Sequence, residues 1–160
     1  MTQGESAPAL PALMPMPVPA LVPALVLDTN AVLDWLLFRD ASMQAVQTAI
    51  KAGAVRWLAS PRMRGELLRT LSYPALAKWL PNSEHTLATF DQLAFICPEP
   101  EPARNAHFVC SDPDDQVFID LALAHQARWL ITHDRALHKL SRRAALEGLS
   151  VLKPKDWPGP

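Results

Sequence analysis

Six carboxylic acids in this 160-residue chain stand where acidic side chains can do chemistry. Asp28 ends the apolar run Ala24-Leu25-Val26-Leu27, and Asp134 follows Arg128-Trp129-Leu130-Ile131 across Thr132-His133. Asp112, Asp114 and Asp115 crowd a single segment, and Glu66 comes shortly after Ser60-Pro61. In open parallel sheets, ligands bind just beyond the carboxyl ends of the strands, the place that Asp28 and Asp134 would occupy. If Asp28, Glu66, Asp115 and Asp134 converge there, like-charge repulsion raises at least one pKa unless a cation neutralises the group. Carboxylates without histidine or cysteine partners suit a hard ion, Mg²⁺ or Mn²⁺, which keeps several waters and binds phosphate oxygens. Of the five histidines only His133 lies near this set, and its position reads as incidental.

Each acid also has a plainer reading. Asp28 and Asp134 are acceptable turn and cap residues. Glu66 has Arg62 four residues before it and Arg69 three after, a spacing typical of solvated ion pairs worth about 0.3–0.5 kcal/mol each. Asp112 before Pro113 fits a helix N-cap so well that capping is its first reading. Asp114 and Asp115 would favour the positive end of the same helix with no metal present. Singly, none of these residues decides the function.

The elements that must position them follow from pattern. Residues 24–27 form an unalternating apolar run, as in a strand buried on both faces of a parallel sheet. Apolar positions at helical spacing predict helices over 31–38 and 42–52, the second stopped by Gly53. Residues 55–59 read as a strand, and Ser60-Pro61 starts a helix that ends near Tyr73-Pro74. One or two helices fill 75–93, a short strand covers 95–97, and a proline-punctuated loop covers 98–102. A helix capped by Asp112, a strand at 128–131, a helix over 136–146 and a strand at 151–152 complete the domain. Strands alternating with helices predict a three-layer α/β/α fold around a central parallel sheet.

Residues 1–23 are compositionally separate, with proline every few positions. Proline resists helix, so this apolar stretch is neither a membrane span nor a signal peptide; it reads as a disordered extension ahead of one domain at 24–157. No export signal is evident, which makes the cytoplasm the default location. Cys97 and Cys110 have no zinc-ligand spacing and read as free buried thiols. A net charge of -1 gives no overall attraction to nucleic acid, but basic residues gather at 56–69 and 128–143 on either side of the acids.

The order of these segments resembles the PIN-domain family. Val26-Leu27-Asp28-Thr29-Asn30 resembles the family's opening, the helix with Ser60 and Glu66 its second acidic element, and Asp112-Pro113-Asp114-Asp115-Gln116 its third. Ile131-Thr132-His133-Asp134-Arg135 is similar to the fourth, a T-x-D turn. The resemblance spans about residues 24–157 and is nearest to the VapC-like toxins of bacterial toxin–antitoxin systems. It implies that Asp28, Glu66, Asp115 and Asp134 are the metal-binding acids, with Asp112 as a further ligand or support. Thr29, Asn30 and Thr132 would orient the acid-bearing loops. The implied activity is an endoribonuclease using one or two Mg²⁺ or Mn²⁺ ions, which activate water for in-line attack and leave a 5′-phosphate. Arg62, Arg64, Arg69 and Arg135 would contact phosphates of single-stranded or loop RNA. The implied partners are an antitoxin protein and a second copy of the chain.

Three rivals share parts of this pattern. A haloacid-dehalogenase-type phosphatase needs a second acid two residues after the first, where this chain has Asn30. A receiver module needs a lysine after a late strand, and none stands near Ile131. A PIN-fold interaction module with weak or lost nuclease activity is the alternative; no acid of the set is missing, and metal binding without cleavage would favour it. Deleting residues 1–23 is expected to leave the melting temperature of the domain unchanged; a large fall on truncation would show that the extension supports the fold.

Overall fold

The computed structural model describes residues 21–101 and 108–160; the extension up to residue 20 and the end of the proline loop lie outside them. Five parallel strands form one sheet: β1 (Ala24–Leu27), β2 (Arg56–Ala59), β3 (Ala94–Ile96), β4 (Trp129–Ile131) and β5 (Ser150–Leu152). Their order is β3-β2-β1-β4-β5. Chain progression therefore runs outward from β1 in one direction and then restarts on its other side. That reversal makes the gap between β1 and β4 a topological switch point, where the strand ends open a crevice.

β1 is buried along its whole length and pairs on both sides, with Leu25, Val26 and Leu27 opposite Trp129, Leu130 and Ile131 of β4. This explains its unalternating sequence: both faces are covered by helices. The helices flanking the sheet are α1 (Thr29–Leu36), α2 (Gln44–Lys51), α3 (Pro61–Leu71), α4 (Ser83–Leu93), α5 (Gln116–Ala124), α6 (Arg135–His138) and α7 (Ser141–Leu146). Trp57 on β2 meets Trp35 of α1 and Phe90 of α4 at ring-centroid distances of 5.4 and 4.9 Å, joining two helices to the sheet. Trp157 closes over Trp129 edge-on at 5.5 Å, which pins the C-terminal tail.

Several boundaries differ from the sequence reading for local reasons. The first helix begins at Thr29, two residues early, because Asp28 itself caps it. The Asp112 cap holds only a 3-10 turn, Pro113–Asp115, and α5 begins after it. The single helix expected over 136–146 is two, α6 and α7. Leu137, Leu140 and Ala144 keep helical spacing into the core across the break, so the hydrophobic pattern carries no mark of it. Gly53 does end α2, with φ +70°, a conformation glycine adopts at no steric cost. Cys97 and Cys110 are buried free thiols. Among the described residues no helix is long and apolar enough to cross a membrane.

Candidate active site

The switch-point crevice is lined by the first residues after β1 and β4. Asp28 is almost fully buried, and both its oxygens are engaged. Oδ1 accepts the Ala31 N–H at 2.7 Å, capping α1, and Oδ2 accepts the hydroxyl of Thr132. The same hydroxyl oxygen accepts the N–H of Asp134 at 2.8 Å. Thr132, itself fully buried, thus holds the two acid-bearing loops to one another through a single atom. Asp134 caps α6, its Oδ1 accepting from Ala136 N at 2.6 Å and Leu137 N at 3.3 Å.

The remaining acids come from α3 and from the turn before α5. Glu66 Oε1 accepts the Thr29 hydroxyl at 3.2 Å, so its link is to the residue beside Asp28. It pairs with neither Arg62 nor Arg69, which replaces the helix-face ion pairs that its spacing suggested. Asp112 caps the 3-10 turn through Asp114 N at 3.0 Å. Asp115 stands at the N-cap of α5 without making a side-chain cap bond there.

The shifts of two of these acids have their neighbours among their causes. Asp115 is pushed up to about 7, first by burial and then by the negative charges of Asp134, Asp112 and Asp28. Asp28 is raised to about 6, mainly by burial; its bonds to Thr132 and Ala31 oppose the rise and Asp134 adds to it. Asp28, Asp112, Asp115 and Asp134 therefore share one field, with Glu66 joined to them through Thr29.

Some supporting roles fall differently from the sequence expectation. Asn30 is exposed and makes no side-chain hydrogen bond among the described residues, so loop orientation falls to Thr29 and Thr132. Arg64 is committed to Asp91, with Nε and Nη2 at 2.6 and 2.7 Å from its two oxygens. Arg62 and Arg69 instead line a cavity of about 240 Å³ with Glu66 and Asp114. Arg135 is exposed next to Asp134. His133 does more than its position suggested: its Nε2 lies 3.2 Å from Asp34 Oδ2, tying α1 to the Asp134 loop. Asp34 was legible only as the one acid in the otherwise mostly apolar α1.

All the donors are carboxylates, the chemistry of a site for a hard divalent cation. Among the described residues no three Asp, Glu, His or Cys side chains are grouped closely enough to hold one ion as they stand. Repulsion among these acids is the physical opposite of such grouping, and a bound cation would turn it into attraction. The donor set fits the group; its closure around an ion depends on that ion's charge.

The sequence model of the PIN domain matches residues 24–136. Among solved structures, a chain of VapBC2 from Rickettsia felis, bound to a DNA fragment from their promoter, is similar in fold. It superposes with a TM-score of 0.54 at 14% identity, covering 80% of this chain and 96% of that one. No curated protein sequence matches.

A carboxyl whose pKa is higher folded than unfolded contributes stability that is complete below the unfolded value and is lost as pH rises through the folded one. Asp115 and Asp28 should therefore weaken the cation-free fold between about pH 4 and about pH 7. Asp115→Asn removes one of these charges without removing a helix cap. In denaturation with EDTA it should be more stable than wild type at about pH 8, and the difference should vanish near pH 4. A difference independent of pH would contradict the repulsion.

Proposed function

The chain belongs to the PIN-domain family, and from that premise we propose that it is a metal-dependent endoribonuclease acting as the toxin of a toxin–antitoxin pair. The observation that carries the reading is the shared field of Asp28, Asp115 and Asp134 at the switch point of the sheet. Asp28, Asp115 and Asp134 would hold Mg²⁺ or Mn²⁺, with Glu66 and Asp112 completing the donor set. A bound ion supplies a lowered pKa for water and neutralises charge on a phosphodiester.

The chain's own groups do the rest. Thr132 links the Asp28 and Asp134 loops, so that the two carboxylates would close on an ion from a common support. Thr29 fixes one oxygen of Glu66. Arg62 and Arg69 offer guanidinium groups to a phosphate beside the acids, where a strand of RNA would otherwise be repelled. Single-stranded RNA suits the site because its backbone is free to enter an acidic crevice. The fold shared with a VapBC2 chain supports an antitoxin partner, and a homodimer accords with the VapC-like resemblance.

The test is cleavage of a labelled RNA pool by purified protein with Mg²⁺ or Mn²⁺. EDTA should abolish cutting, and Asp115→Asn should reduce it by about a hundredfold or more while remaining folded by circular dichroism. Cutting that survives EDTA would refute metal dependence. A folded protein that binds the ion but cuts no RNA would instead favour the interaction-module reading.

A further inference from the structure

The cavity of about 240 Å³ is lined by Arg62, Gly65, Glu66, Arg69 and Asp114, all of them described residues. Glu66 joins it to the acids at the strand ends, because its Oε1 accepts the hydroxyl of Thr29, the residue next to Asp28. Arg62, Gly65, Glu66 and Arg69 follow one another at helical spacing in α3, which places them on one face of that helix. The two arginines stand about two turns apart along it. Asp114 comes from the turn capped by Asp112.

Neither Gly65 nor the Asp114 carboxylate is committed to packing or bonding. Gly65 lies inside α3, where glycine is the least favourable residue after proline. Its backbone is not left-handed, and a Cβ there would meet nothing within 4 Å. Packing therefore does not call for a glycine, whereas close approach of a ligand to the helix backbone does. Asp114 gives its backbone N–H to Asp112 Oδ1, but among the described residues its carboxylate makes no hydrogen bond or ion pair. Its charge is also absent from those that raise Asp115. The guanidinium groups of Arg62 and Arg69 likewise have no ion-pair partner among the described residues.

We propose that this cavity is a ribose subsite, in which Asp114 accepts the 2′-hydroxyl of a nucleotide adjoining the scissile phosphate and so selects RNA over DNA; the proposal rests on the ribonuclease reading of the acids. A ribose carries one phosphate on each side, and the cavity has one guanidinium at each end of its α3 face. Between them a second phosphate would be repelled by Glu66 and Asp114. A base would find no apolar or aromatic face to stack on, since every lining residue but glycine is charged. A ribose suits the space because the bare backbone at Gly65 leaves room for the ring. Carboxylates accept hydrogen bonds and donate none, and the 2′-hydroxyl is the donor that DNA lacks.

The experiment measures binding of a labelled uridine decamer and its 2′-deoxyuridine counterpart to the full-length protein by anisotropy, in EDTA at low salt. Cleavage of both strands in Mn²⁺ is followed beside it. Wild type should bind the RNA about tenfold or more tighter than the DNA. Asp114→Ala should bring RNA affinity down to that for DNA and leave DNA affinity unchanged. Gly65→Leu should weaken both strands while its melting temperature is no lower than that of wild type, because leucine favours helix. Equal binding of the two strands by wild type, an RNA preference unchanged in Asp114→Ala, or unaltered binding by Gly65→Leu would overturn the subsite. An RNA preference lost in Asp114→Ala, with no cleavage by wild type, would sustain the subsite and refute the nuclease reading. Cleavage of RNA and DNA at equal rates, indifferent to Asp114→Ala, would sustain the nuclease and overturn the subsite.

Discussion

One hydroxyl group organises the end of the sheet where the acids gather. Thr132 donates to the carboxylate at the end of β1 and accepts from the backbone that carries the carboxylate after β4. The strands it joins are adjacent, with Leu27 opposite Ile131 and the Asp28 N–H bonded to Ile131 O at 3.2 Å. The switch in strand order requires a crevice at that point, and Thr132 sets its width. Without this donor, a nearly buried Asp28 carboxylate would lose a bond that partly offsets its desolvation. His138, whose Nε2 lies 2.9 Å from Thr132 O, and the His133–Asp34 pair hold the same loop from α6 and α1.

The site is assembled at a cost to the fold. Burial and mutual repulsion disfavour the charged forms of Asp28 and Asp115, while caps and hydrogen bonds hold them in place. Asp28 and Asp134 meet part of that cost by capping α1 and α6, so the same carboxylates that could bind an ion also define where two helices begin. Strain of this kind, maintained by the surrounding structure, is characteristic of functional sites.

Much of this was legible in the sequence. The apolar run before Asp28, the Ser60-Pro61 and Asp112-Pro113 caps and the Gly53 stop each act through neighbours a few residues away, so local pattern reveals them. Alternation of strands and helices gave the parallel sheet, and the acids at the ends of β1 and β4 indicated the crevice. What stayed hidden depends on contacts between distant segments. For Glu66 the helix-face ion-pair row stood beside the metal-ligand reading, because nothing in its own helix reveals that Thr29 stands opposite. Arg64 looked equivalent to Arg62 and Arg69 until α4 supplied Asp91. The pairing of His133 with Asp34 likewise joins residues that no local pattern connects.

Convergence of these acids on one site for a divalent cation is open to direct test. The direct measurement is a calorimetric titration of Mn²⁺ into metal-free wild type, Asp115→Asn and Thr132→Val protein. The expected result is saturable binding by wild type, binding lost in Asp115→Asn, and weaker binding in Thr132→Val, where the acids remain but their spacing is released. No binding by folded wild type, or the same affinity in all three proteins, would contradict it.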